Sequence, residues 1–112
     1  MNIDEMIKDF CKRSRTEYTE DLVRKVINDN YHIITNDGFM VFNIIYNEIH
    51  CLFLYVVPGS KPSVFRNFVK FIEEFGKSNG CIKAKFITCR DKGFSRLLKD
   101  YSHCAIMYEK EI

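Results

Sequence analysis

The sequence predicts an α/β fold, a mixed and mostly antiparallel sheet with helices on both faces, in the order α-α-β-β-β-α-β-α-β. Three observations lead there. Apolar residues recur at helical spacing in two segments near the start. Residues 31–57 then read as three short strands divided by turn residues, the third apolar on both faces. A strand, helix, strand unit follows, and strands joined that way run parallel through a right-handed crossover.

Ile3, Met6, Ile7 and Phe10 form the stripe of the first helix, with Asn2 as its cap and Glu5 three residues on. In the second, near 17–29, Tyr18, Leu22 and Val26 make one stripe, Val23 and Ile27 widen it, and Thr16 or Thr19 serves as cap. "YHIIT" turns at Asn36-Asp37-Gly38, "FMVFNIIY" turns at Asn47-Glu48, and "IHCLFLYVV" returns. Apolar on both sides, that last strand belongs at the centre of the sheet. Over about 62–75, Val64, Phe65, Phe68, Val69, Ile72 and Phe75 make a wide apolar face. Pro62 suits its first turn and Gly76 a left-handed end. "CIKAKFITC" sets Ile82, Ala84 and Phe86 against Lys83 and Lys85, a strand with one wet face. Phe94, Leu97, Leu98 and Tyr101 mark a short helix, and "HCAIMYEKEI" a final strand.

The chain, at 112 residues and 46% hydrophobic, is expected to form one domain over 1–112 with a real core. Its formal net charge of +2 sets up no global field favouring nucleic acid or an anionic membrane. The acidic, amphipathic start is unlike a secretory signal, and the apolar run from Cys51 to Val57 is too short for a bilayer. The expectation is a soluble protein. Cys11, Cys51, Cys81, Cys89 and Cys104 form an odd set without a CxxC pair, as in a reduced, cytoplasmic protein. His50-Cys51 and His103-Cys104 point to opposite faces of a strand, so neither pair chelates a metal alone. Lys83, Lys85, Arg90, Lys92 and Arg96, with Lys61 and Arg66, read as a solvated face interleaved with Asp91 and Asp100; binding of a small ligand or nucleic acid is the minor reading.

The order of elements, with a central strand ending in "VVP" and a close of "GFSRLLKDYSHCAIMYEKEI", resembles the GNAT superfamily of acyl-CoA-dependent N-acyltransferases. The resemblance spans nearly the whole chain and omits only the usual first strand. It implies a cofactor diphosphate resting on a Q/R-x-x-G-x-G/A loop at the start of the helix after the central strand. Here that stretch is "GSKPSVF", shorter, with one glycine, and with Pro62 lacking an N–H. The matching seat is Val57, Gly59, Ser60, Lys61 and Ser63, with helix capping as the plain alternative for the last three. The family's LYEKLGF stretch, whose Tyr is often the acid, falls on Leu97-Leu98-Lys99-Asp100-Tyr101-Ser102-His103, so Leu98 takes the tyrosine position. Tyr101 is the nearest substitute acid, and Glu48 and His50 are the nearest candidate bases.

These departures suggest a degenerate member of the small bacteriophage-encoded type. The expectation is a non-catalytic interaction or structural subunit, such as a virion or accessory protein, located in the host cytoplasm or virion. It is expected to use no cofactor and to bind protein partners in a larger assembly, with no membrane and with nucleic acid only as the minor reading. The alternative is a minimal N-acyltransferase using acetyl-CoA, whose central strand splays from its neighbour near Tyr55–Val57 to admit the cofactor.

Overall fold

The computed structural model describes residues 1–14, 18–87, 102–104 and 107–112. Its elements are α1 (Ile3–Arg13), α2 (Glu20–Asp29), β1 (Tyr31–Thr35), β2 (Gly38–Ile45), β3 (Glu48–Val56), α3 (Pro62–Ser78), β4 (Lys83–Ile87), β5 (Ser102–Cys104) and β6 (Met107–Glu111). Among the described residues six strands lie in the order β1-β2-β3-β4-β6-β5, and only the β3–β4 pairing is parallel. This is the expected mixed sheet, with β3 inside it and antiparallel to β2.

The two N-terminal helices start where their caps direct. Asn2 Oδ1 accepts from Glu5 N–H at 2.9 Å, and Thr19 Oγ1 accepts from Leu22 N–H at 3.1 Å, each satisfying a donor the helix cannot. Asp4 and Glu5 at the start of α1, and Lys12 and Arg13 at its end, complement the helix dipole. In α2 the buried stripe is Val23 and Ile27, while Leu22 is 44% exposed, so the helix sits rotated from the expected Tyr18–Leu22–Val26 line.

A core fills each side of the sheet. Under α3 lie Phe65, Phe68 and Ile72 against Met40, Phe42, Ile49 and Cys51, with Ala84 and Phe86 from β4. Under α1 and α2 lie Met6, Ile7, Val23 and Ile27 against Phe39, Val41, Phe53 and Tyr55. An irregularity in β3 connects the two. Val41 pairs with Phe53 but Phe42 pairs with Cys51, which leaves Leu52 as the extra residue of a bulge. Leu52 and Phe53 therefore face the same side, beneath α1 and α2, whereas Ile49 and Cys51 face α3. Period-two alternation alone would put Ile49, Cys51, Phe53 and Tyr55 on one face.

Several boundaries differ from the sequence reading. The helix α3 runs on to Ser78, and Gly76 lies buried inside it instead of ending it. A Cβ there would meet Ile49 Cγ2 and Ile112 Cδ1, each at 2.8 Å, so the glycine serves close packing; the left-handed residue is Gly80. The β2–β3 turn is Tyr46-Asn47, with Glu48 already in β3. The strand β4 starts later than expected: Cys81 is buried but precedes it, and Ile82 is 54% exposed. The final stretch forms two strands, β5 and β6, paired with each other. The helix expected at Phe94, Leu97, Leu98 and Tyr101 lies outside the described residues, as do Cys89, Arg90, Lys92 and Arg96.

Candidate active site

The strands β3 and β4 are paired over only four positions, Glu48–Lys83, Ile49–Ala84, His50–Lys85 and Cys51–Phe86. Past Cys51, β3 continues through Leu52 to Val56, still paired with β2 on its other edge. The sheet therefore forks at the bulge, several residues earlier than the splay expected near Tyr55–Val57. Val57 N–H donates to Asp37 O at 2.8 Å, toward the β2 side. Backbone groups alternate sides along a strand, so those of Leu54 and Val56 point to the edge that has no strand beside it among the described residues. The bare stretch is about 16 Å long at the usual strand rise. At its open end stand the turn and the first residues of α3.

That turn is built from ordinary parts. Ser60 N–H donates to Val57 O at 3.1 Å, and Gly59, at φ +85°, occupies the second central position behind Pro58, as a type II turn requires. Val57 and Ser60, two of the expected cofactor residues, thus spend their N–H groups internally. Lys61 makes no side-chain cap for α3, and Lys61 and Ser63 are both exposed. Space around Gly59 is open, with no atom within 4 Å of where a Cβ would stand.

At the apex of the fork a polar row crosses the sheet: Asn43, His50, Lys85 and Glu109 are successive strand partners. Glu48, two residues from His50, shares its face and ties the row together. Its Oε1 accepts from His50 Nε2 at 3.0 Å and from Lys85 Nζ at 2.9 Å. Those two contacts, the His50 hydrogen bond foremost, hold the Glu48 carboxyl below its ordinary value of 4.5. A carboxylate only accepts, so Nε2 of the imidazole is the donor in this contact. Lys85 and Lys83 each also approach Glu109 Oε2 at 3.9 Å. Asn43 Oδ1 is buried without a hydrogen-bond partner among the described residues.

The structure thus unites two of the expected catalytic residues, Glu48 and His50, in one contact and assigns them different characters. Glu48 is a stabilised anion, and His50 is the donor that faces it. Tyr101, the expected acid, lies outside the described residues. Sequence reading missed Asn43, Lys85 and Glu109. The two lysines of β4 were read as a wet face, but both are half-buried and paired with carboxylates from β3 and β6. Among the described residues no group of three His, Cys, Asp or Glu could hold a metal ion. Burial pushes the Cys51 and Cys81 thiols up, which makes both poor nucleophiles.

An α-α-β-β-β-α-β start, a parallel pair that forks beside a bulge, and a helix opening at the wide end define a GNAT-like fold. Solved structures share it. The ribosomal-protein-S18-alanine N-acetyltransferase from Escherichia coli superposes with a TM-score of 0.73 at 8% identity, over 100% of this chain and 90% of that one. The PaiA N-acetyltransferase from Thermoplasma acidophilum, solved in complex with coenzyme A, gives 0.65 at 17%, over 100% and 81%. The aminoglycoside 6'-N-acetyltransferase from Enterococcus faecium gives 0.57 at 14%, over 75% and 52%. No protein-family model and no curated protein sequence matches the chain. The expectation of a non-catalytic structural or interaction subunit is corrected by these neighbours, all of them N-acetyltransferases. That expectation rested on the departures at the loop and at Leu98, and gave no weight to the His50–Glu48 pair. No helix among the described residues is long and apolar enough to cross a membrane.

Proposed function

We propose that this chain is an N-acyltransferase that takes its acyl group from an acyl-coenzyme A, with His50 as the base that deprotonates the accepting amine. One observation carries the reading: an imidazole fixed by a carboxylate stands at the apex of a fork whose bare strand edge leads to the N-terminus of α3. Bound acyl-CoA supplies a thioester carbonyl activated toward amines. The pantetheine arm, with its amide groups, fits the edge of β3, where Leu54 and Val56 turn their backbone N–H and C=O outward. At the diphosphate end the fit is thinner, because the Ser60 N–H closes the turn and Pro62 has none. Lys61, the Ser63 hydroxyl and the helix dipole would carry that contact.

The protein's own residues divide the proton work. His50 Nδ1 would accept the proton of the amine as the C–N bond forms, and that proton would pass to the thiolate released when the thioester C–S bond breaks. Glu48, already ionised, stabilises the resulting imidazolium through Nε2–H. Lys85 keeps Glu48 ionised and anchors it. Glu48 is thus a positioning residue.

Calorimetric titration with acetyl-CoA tests the cofactor, and release of free thiol from acetyl-CoA with a panel of primary amines tests the reaction. Saturable binding below about 1 mM is expected. His50→Gln should keep that binding and lose about 10²–10⁴-fold in thiol release. Absence of binding removes the reading, and full activity in His50→Gln removes His50 as the base.

A further inference from the structure

The bare edge of β3 suits one part of an acyl-coenzyme A far better than the rest. From Cys51 to Ser60 no side chain carries a charge. Leu54 and Val56 pack toward the core under α3, Leu52 and Val57 toward the core under α1 and α2, and all four are half-buried. Between these apolar flanks Leu54 and Val56 turn their backbone N–H and C=O groups outward.

A pantetheine arm matches that wall in kind and in length. It is uncharged, it spaces two amides with methylene groups, and it carries two methyl groups near its hydroxyl end. About twelve chain atoms separate its sulfur from the first phosphorus of coenzyme A, the backbone length of about four residues, or ~14 Å when extended. The bare stretch runs about 16 Å from the fork to the turn. With its sulfur at the apex, the arm is used up where the turn begins.

The diphosphate would then meet a turn whose backbone donors are largely committed. Both prolines of the chain, Pro58 and Pro62, fall here and have no N–H. Val57 N–H donates to Asp37 O, Ser60 N–H to Val57 O at 3.1 Å and Val64 N–H to Lys61 O at 3.0 Å. Gly59, Lys61 and Ser63 keep N–H groups with no partner among the described residues, but they alternate with the committed positions. An anion-binding concavity needs successive N–H groups converging on one point, and this spacing denies it. Lys61 and Ser63 are exposed, so water and salt screen what their side chains offer an anion.

We infer that the acyl donor is recognised by its pantetheine arm, that the nucleotide diphosphate adds little, and that acyl thioesters of pantetheine itself are donors alongside acyl-coenzyme A. Resting on the acyl-coenzyme A reading of the same site, this narrows the substrate class to a pantetheine thioester, whatever lies beyond the arm's hydroxyl end.

Calorimetric titration of the intact wild-type chain with coenzyme A, 4′-phosphopantetheine and pantetheine reads each part of the donor without a variant that could misfold. The three dissociation constants should agree within about tenfold, because even one charge-assisted hydrogen bond to a phosphate would separate them by more than that. The nucleotide fragment alone, 3′-phosphoadenosine 5′-diphosphate, should fail to displace coenzyme A. In the thiol-release assay, S-acetylpantetheine should replace acetyl-CoA. Coenzyme A binding more than about tenfold tighter than pantetheine, or displaced by the nucleotide fragment, overturns this inference and leaves the acyl-coenzyme A reading standing. Failure of all three arm-bearing ligands to bind overturns both.

Discussion

Two halves of β3 behave as if they belonged to different proteins. From Glu48 to Cys51 the strand is paired on both edges, buries Ile49 and Cys51 under α3, and shows Glu48 and His50 on the opposite face. From Phe53 to Val56 it is paired on one edge only among the described residues and sends Phe53 and Tyr55 beneath α1 and α2. Leu52 is the switch between them. A single extra residue changes which side the large side chains occupy, and at that point β4 leaves. The difference teaches that the polar apex and the bare edge are supported from opposite faces of the sheet, so each can be disturbed without the other.

The largest effect should come from the upper half. Phe53 touches Phe10 and Tyr18, with ring centroids at 5.0 and 5.2 Å, and Phe53→Ala should cost about 3–5 kcal/mol in denaturant unfolding. The imidazole signals of His50 should nevertheless stay in place by NMR. Their displacement would show that the halves are coupled. A smaller effect is expected from the lower half. Gly76→Ala forces a methyl group against Ile49 and Ile112, an overpacking worth about 1–3 kcal/mol. An unchanged denaturation midpoint would mean that α3 does not bear on Ile49 as closely as described.

The smallest effect is electrostatic and separates the halves by pH. Two carboxyls are held low, Glu48 in the first half of β3 and Asp9 of α1 against the second. Asp9 is lowered from 3.8, first by the Tyr55 hydroxyl, which donates to Asp9 Oδ2 at 2.6 Å, and Glu48 is lowered from 4.5 by His50 and Lys85. A carboxyl whose folded value is depressed adds stability that is complete above its unfolded value and is lost as pH falls through the folded one. Melting temperature should therefore begin to fall below about pH 4.5, with Glu48 responsible for the upper part of the decline. In Glu48→Gln the onset should move toward the Asp9 range. A melting curve in that variant that declines from the same pH as wild type would remove Glu48 from the account.

Much of this fold could be read along the chain, because its cues are local. Asn2 and Thr19 cap the helices they precede, Phe65, Phe68 and Ile72 bury the stripe that their spacing describes, and Pro58-Gly59 carries the chemistry of its turn. The bulge at Leu52 was not legible, since nothing in "IHCLFLYVV" distinguishes an extra residue from another alternating one; only the partner strand does. Lys85 was misread for a related reason. Its carboxylate partner Glu48 lies 37 residues away, and Glu109 beyond a further strand. Sequence spacing gave Glu48 and His50 a common face but could not say which would be the anion. Gly76 was assigned a terminal role because a glycine late in a helix usually ends one, whereas here the crowding comes from Ile49 and Ile112.

The parallel seam between β3 and β4 also has a consequence for breathing motions. The β2–β3 pairing closes over a two-residue turn, while β4 reaches β3 only after residues 57–82, and then for four positions. A longer connection carries a larger closure entropy, growing with the logarithm of its length, so this seam returns the least for what it must hold. Sub-global opening is expected there before the β1–β2–β3 meander loosens. Amide hydrogen exchange should accordingly be faster in residues 83–87 than in 39–42, and equal protection would place the weak point elsewhere. If the order holds, the protein's easiest excursion from its native state widens the cleft that a thioester arm would have to enter.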